Sequence, residues 1–306
     1  MSDPIHHECG VAMVRLKKDL AWYKDKYDTC MWGFQRLYLL MEKQHNRGQD
    51  GVGIGCCKLD MPLGAPYLFR ARNAKRDSLI KLMEEQIKSI TKLERQGRLD
   101  PDDPESFKRN FEFGGEVLLG HLRYGTSGTF GEGGCHPYVR RTNYKTKTMM
   151  VLGNFNMTNA RDLNHHLIDR GQHPVFDTDT QTVLEEIGYH LDEAHDAIYR
   201  RERDKGTPGK EIPAIIAEEI DISRILRKCG EIWDGGYSIA GVIGNGDAFV
   251  LRDPTGIRPC FYYEDEEVIA FASERVPLMT VFNAPIEAVK ELPAGHVGMM
   301  DHRGGL

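Results

Sequence analysis

No apolar run in the sequence approaches the roughly 20 residues that span a bilayer, and Met1-Ser2-Asp3-Pro4-Ile5-His6-His7-Glu8 has no hydrophobic signal region. A cytoplasmic protein with no membrane partner is therefore expected. An excess of positive charge is also missing: 40 Lys and Arg stand against 46 Asp and Glu, for a formal net charge of −6. The electrostatic footprint of a nucleic-acid binder is lacking, and small polar substrates are favoured. The seven cysteines (Cys9, Cys30, Cys56, Cys57, Cys135, Cys229 and Cys260) are odd in number and include no CxxC pair. That pattern argues against a disulfide framework or a zinc ribbon, and neither metal nor cofactor is expected. Internal repeats and low-complexity tracts are absent as well.

What is present is glycine, 32 in 306 residues, which implies many turns and close approaches in a sheet-rich fold. The length suits one large domain or two small ones. Cys9-Gly10-Val11-Ala12-Met13-Val14 reads as a buried strand, and apolar spacing from Gly33 to Met41 predicts a helix to about Lys43. A polar turn at Gln44–Gly51 leads into a strand at Val52–Gly55, in which Cys56 and Cys57 should point to opposite faces. Further strands are expected at Tyr67–Arg70, Val117–Leu119 and Met149–Leu152, with an amphipathic helix over Ser78–Gly97 and a turn or linker at Asp100–Pro104. Gly153–Asn159 reads as a polar turn before a helix from Ala160 to about Arg170. Asp192–Arg227 reads as helices around a turn at Lys205–Gly209. Tyr237–Ile243 and Ala248–Asp253 form a hairpin around Gly244–Asp247, and runs at Cys260–Tyr263 and Val268–Phe271 extend it as a β meander.

Several residues invite chemistry. Arg123 lies just past the Val117–Leu119 strand within His121-Leu122-Arg123-Tyr124-Gly125-Thr126-Ser127-Gly128. A guanidinium there suits a carboxylate, though a solvated or structurally paired arginine gives the same pattern. Cys9 opens a strand after a short polar leader. Were Met1 to Glu8 removed, one residue would supply both a thiol (reference pKa about 8.5) and an amine (about 8) to deprotonate it. With the leader attached, that amine is an amide and cannot act as base. A core cysteine explains the stretch equally. Arg47 is a turn residue or a site residue. Asn154 can donate its amide to a developing oxyanion with the N–H of Phe155 beside it, or simply favour a left-handed turn. Asp177-Thr178-Asp179 precedes a helical pattern, and capping uses one acid and leaves the other spare. Cys135-His136 resembles half of a metal site without the other half.

Taken in order, Cys9-Gly10-Val11, His45–Asp50, Gly120–Tyr124, Gly153-Asn154, Asp177–Asp179 and Arg252-Asp253-Pro254-Thr255-Gly256-Ile257-Arg258-Pro259 with Phe271–Glu274 resemble the class II glutamine amidotransferases, over about residues 9 to 300. The Arg252–Pro259 and Phe271–Glu274 stretches lean toward the members that feed a phosphoribosyltransferase. The resemblance implies an N-terminal-nucleophile hydrolase fold of α+β class, a four-layer αββα sandwich of two antiparallel sheets between helical layers. It implies that Cys9 attacks the glutamine carboxamide, and that Asn154 and Phe155 N–H hold the oxyanion. Arg123, with Tyr124 beside it, binds the substrate carboxylate; Asp179 pairs with its ammonium; Arg47 supports the nucleophile end. The partners implied are glutamine and an ammonia-acceptor domain, a phosphoribosyltransferase or another, in cis or in trans, with homo-oligomers possible. On this reading residues 1–8 are a leader that is removed, 9–300 the glutaminase domain, and 301–306 the start of a continuation. Alternatives are a glutaminase for a different acceptor, a non-catalytic glutamine-binding regulatory module, and a related hydrolase of another amide. One departure stands out: the family's Asn-Gly is Asn154-Phe155 here.

Overall fold

A computed structural model describes residues 8–125, 131–175 and 178–302. Their strands, numbered in chain order, form two sheets. The first holds β1 (Gly10–Leu16), β2 (Gly51–Cys57), β3 (Leu68–Asn73), β4 (Val117–Arg123), β9 (Phe261–Glu264), β10 (Val268–Ala272) and β11 (Lys290–Glu291), in the order β11-β9-β10-β1-β4-β2-β3. The second holds β5 (Tyr138–Arg140), β6 (Met149–Met157), β7 (Gly235–Ile243), β8 (Ala248–Arg252) and β12 (Val297–Met300), in the order β12-β8-β7-β6-β5. Every pairing is antiparallel.

Alternation along each strand builds three cores. Ala12, Val14 and Leu16 of β1 face helices α1 (Leu20–Tyr27), α2 (Trp32–Lys43), α3 (Ser78–Arg95), α4 (Pro104–Asn110) and α9 (Arg275–Phe282), while Val11 and Met13 face the other sheet. On the opposite side, Met149 and Val151 of β6 face helices α5 (Ala160–Asp169), α6 (Asp179–Asp204), α7 (Ile212–Glu219) and α8 (Ile222–Gly230), while Met150 and Leu152 join the inter-sheet core. This is the expected αββα sandwich. Both faces of the central strands are buried, so they read as continuous apolar runs although the sheets are antiparallel. Cys56 and Cys57 divide between the helix-side and inter-sheet cores, as their spacing required.

Two local expectations need correction. The hairpin β7–β8 forms, but β9 and β10 do not extend it as a meander; they belong to the other sheet. The turn after Arg252 carries the chain across because Asp253, fully buried, collects the N–H groups of Thr255, Ile257 and Arg258 and so reverses the strand. The Gly153–Asn159 segment is not a turn up to Met157, since β6 continues through it opposite β7. Asp100–Asp103 forms the expected turn, and it also starts a helix. Asp103 accepts from Glu105 N–H and caps α4, with Pro104 at its first position.

Among the described residues no helix is long and apolar enough to cross a membrane.

Candidate active site

Register places the first residues of the site. Gly10 of β1 lies opposite Leu122 of β4, and Gly51 of β2 lies opposite Arg123, so the end of β4 runs between the approach to Cys9 and β2. The Tyr124 N–H points at Cys9 Sγ at 3.4 Å, and the thiol lies 3.7 Å from the Tyr124 carbonyl. Tyr124 therefore meets the nucleophile through its backbone, while its ring is exposed. Asp50 pins this corner, its N–H donating to Arg123 O at 3.0 Å and its carboxylate accepting from Gly125 N–H at 2.8 Å.

Cys9 is half-buried. Burial pushes its thiol pKa up, while the Tyr124 N–H and the guanidinium groups of Arg123, Arg258 and Arg47 pull it down. Arg123 is only 7% exposed, which removes the solvated reading of that residue; its Nη1 donates to Gly131 O at 3.4 Å. Arg47 lies against the Cys9 backbone. Its Nε donates to Cys9 O at 3.2 Å, its Nη1 reaches Glu274 at 3.2 Å and its Nη2 reaches Glu8 at 3.0 Å. The start of β1 is locked from behind: Val11 N–H donates to Ser273 Oγ at 2.9 Å, and Ser273 N–H donates to the buried Gln44 side chain at 3.0 Å.

Asn154 and Phe155 sit in the facing sheet. Asn154 is 4% exposed, and its Nδ2 donates to Glu8 Oε2 at 3.1 Å. Parity fixes the direction of the Phe155 N–H. Thr158 N–H bonds back to Asp234 O, so the even residues at this end of β6 face the β7 side. The odd residues face away: Gly153 N–H donates to His136 Nδ1 at 3.1 Å, and Met157 N–H to Asp179 at 3.5 Å. Phe155 N–H therefore lies on that same outer edge, beyond the end of β5. Neither Asn154 nor Phe155 has positive φ, so the left-handed-turn reading is wrong and a bulky residue fits at 155. The Phe155 ring folds over Gly153, where an added Cβ would lie 2.6 Å from it. The glycine two positions earlier makes room for the phenylalanine.

Sequence reading missed two histidines that hold this edge. His121 and His136 stack with centroids 4.1 Å apart between the sheets. His121 Nε2 meets Gly153 O at 3.0 Å, so it carries the proton; burial drives this imidazole's pKa to about 3 and keeps it neutral. His136 accepts from Gly153 N–H through Nδ1, so its Nε2–H donates to Thr180 Oγ1 at 3.0 Å. Thr180 follows Asp179 in the first turn of α6. A continuous chain thus runs from β4 through Gly153, next to Asn154, to the N-terminus of α6. The only sequence signal for it was the Cys135-His136 pair; among the described residues no group of three His, Cys, Asp or Glu side chains is arranged to hold a metal.

Asp179 is the first residue of α6, and burial raises its carboxyl pKa despite the donors around it. The cap is neither acid but Thr178, whose hydroxyl accepts from Gln181 N–H at 3.3 Å. Asp177 lies outside the described residues, as do Thr126, Ser127 and Gly128 of the Arg123 stretch. Glu8 and Arg258 were not singled out as site residues from the sequence either, yet both lie beside Cys9.

Comparison with known proteins agrees with the motifs. The chain is 26% identical over 253 residues to the amidophosphoribosyltransferase of Pasteurella multocida, covering 81% of this chain and 40% of that protein. It is 28% identical over 198 residues to the Haemophilus influenzae enzyme, and 24% over 198 residues to the Methanothermobacter thermautotrophicus enzyme, covering 63% and 65% of this chain. The chain spans 34–40% of the length of these relatives. No family model matches it. Among solved structures it is similar to glutamine phosphoribosylpyrophosphate amidotransferase from B. subtilis, with a TM-score of 0.60, 16% identity and coverage of 97% of this chain and 48% of the other. A structure described as the allosteric regulatory enzyme of purine biosynthesis gives a TM-score of 0.61 at 17% identity, again over 97% of this chain. The described residues form a glutamine amidotransferase-like domain with the N-terminal-nucleophile fold.

Proposed function

We propose that this glutamine amidotransferase-like domain hydrolyses glutamine to glutamate and ammonia through Cys9, once Cys9 is the first residue of the chain. Its free α-amine then takes the thiol proton as Sγ attacks the carboxamide carbon. The same amine returns the proton to the departing nitrogen, leaving a thioester that water opens to glutamate. Asn154 Nδ2 and the Phe155 N–H receive the negative charge that develops on the carbonyl oxygen; one donor of this kind supplies about 3 kcal/mol. Arg123 binds the substrate α-carboxylate and Asp179 its α-ammonium, so opposite charges at the two ends of the head group set its register. Arg47 orients the nucleophile through the Cys9 carbonyl.

The observation that carries this reading is the meeting of Cys9 Sγ with the Tyr124 N–H at the end of the strand that bears Arg123, on the edge of the sandwich where Glu8 reaches Asn154. The ammonia is intended for an acceptor domain; the names of the relatives point to phosphoribosyl diphosphate as the acceptor. A chain beginning at Cys9 should release glutamate from glutamine, and Cys9→Ala should abolish that release. Full activity in Cys9→Ala would reject the mechanism.

Glu8 supports a second reading for any form that keeps its leader. Its carboxylate engages the Asn154 amide, so that form lacks this donor for an oxyanion and is non-catalytic.

A further inference from the structure

The carboxylate of Glu8 is held more completely than a residue outside the catalytic machinery needs to be. Oε2 accepts from Arg47 Nη2 at 3.0 Å and from Asn154 Nδ2 at 3.1 Å, while Oε1 pairs with Arg258 Nη1. Three donors from three separate elements converge on it: the turn after α2, strand β6 and the turn after β8. Two of them are rigidly built. Asn154 is fixed in a paired strand, and Arg258 ends a turn whose backbone is gathered by Asp253 and whose carbonyl accepts from Arg252 Nε at 2.8 Å.

Arg258 sharpens the point. Its side chain is 18% exposed, and Glu8 is its only ion-pair partner among the described residues. Its Nε is buried without a hydrogen bond among the described residues. A mostly buried guanidinium deprived of its single counter-charge is costly, so a site that loses Glu8 is left demanding an anion. Arg47 differs, because Glu274 stays with it at 3.2 Å.

We propose that Arg47, Arg258 and Asn154 form a carboxylate-binding cradle whose internal occupant is Glu8, so that a chain carrying Glu8 is closed to a free carboxylate. The ligand class is a small carboxylate. Resting on the glutaminase reading, the natural one is the γ-carboxylate of the product glutamate, whose place the Glu8 side chain takes. Removal of the leader then has two effects: it frees the Cys9 amine and empties the cradle. Arg258 becomes a binding residue of the opened site.

Acetate tests the cradle without reference to glutamine. The full chain carrying Cys9→Ala, with intact mass confirming that residue 8 is attached, is melted in sodium acetate and in sodium chloride at matched ionic strength. Acetate should leave that chain unmoved, raise the Tm of Glu8→Ala in the same background by about 2–4 °C, and fail to raise it once Arg258→Leu is added. Should Glu8→Ala fold poorly, Glu8→Ser serves in its place, because it also removes the carboxylate and leaves the cradle open. Equal responses in all three chains overturn the proposal. Glutamate release by a chain starting at Cys9 is measured separately. Release without an acetate effect sinks the cradle alone, and an acetate effect without release sinks the glutaminase reading alone.

Discussion

Replacing Asn154 by alanine in a chain that begins at Cys9 isolates the oxyanion claim. The side chain is 4% exposed, and its backbone stays paired with Ser238 of β7, so truncation removes Nδ2 with little reason for the strand to move. Loss of one such donor costs about 3 kcal/mol in the transition state, a fall in kcat of roughly 100- to 1,000-fold. Ground-state contacts to the amino-acid head group are assigned elsewhere, to Arg123 and Asp179, so KM should change little. Initial rates of glutamate release at saturating glutamine measure the effect, with a thermal melt to show that the fold is intact. Asn154→Asp, which sets a second negative charge against the developing one, should be at least as damaging. A loss of less than about threefold in a well-folded Asn154→Ala protein would refute the assignment.

Phe155→Gly should keep the backbone donor and hence kcat, while losing about 2 kcal/mol of stability with the ring that packs on Gly153 and His136; urea midpoints and glutamate release separate the two. Arg123→Ala and Asp179→Asn should raise KM for glutamine far more than they lower kcat, and a pure kcat effect in either would move that residue out of the binding role. His121 gives a pH dependence. Its folded pKa of about 3 lies below the unfolded value near 6.5, so the unfolded chain binds the proton first, and stability present above pH 6.5 is lost as pH falls toward 3. The loss should reach about 3 kcal/mol by pH 4. His121→Gln, which does not titrate there, should flatten that part of the stability profile, and an unchanged slope would count against a buried neutral imidazole. Gly53→Ala should destabilise the fold by about 3 kcal/mol or more, because the new Cβ would fall 1.7 Å from the His136 carbonyl oxygen; a neutral effect in chemical denaturation would contradict that packing.

The strands were legible because their physics is local, whereas their layering was implied only by the family resemblance. Strands β1, β4 and β6 announce themselves as apolar runs, and the opposite facing of Cys56 and Cys57 follows from a period of two. What was not legible depends on contacts distant in sequence. Strand β6 overruns its polar Asn154–Met157 end because β7 pairs with it there, and tertiary pairing outweighs turn propensity. The exchange of β9 and β10 into the first sheet depends on where the Asp253 turn sends the chain, which spacing alone does not encode. Helix α1 has a weakly amphipathic, charged sequence, yet it is capped by Asp19 and held by Tyr23, a ring buried against Trp32. In the site, Cys9, Arg47, Tyr124 and Asn154 were named from motifs, and the structure gathers them at one edge of the sandwich, with Tyr124 meeting Cys9 through its backbone rather than its ring. The His121–His136 pair was not, since its two members lie 15 residues apart and their stacking depends on the approach of two sheets. Glu8 was read as leader and its side chain passed over, although its carboxylate is the group that joins Arg47, Arg258 and Asn154.

The most direct test of the central claim compares three preparations under one glutamate-release assay: the chain starting at Cys9, the same chain with Cys9→Ala, and a chain in which intact mass shows Glu8 still attached to Cys9. Release from the first alone is the predicted result, because only there does one residue hold a thiol and the free amine that activates it. Equal release from the chain that retains Glu8 would contradict it.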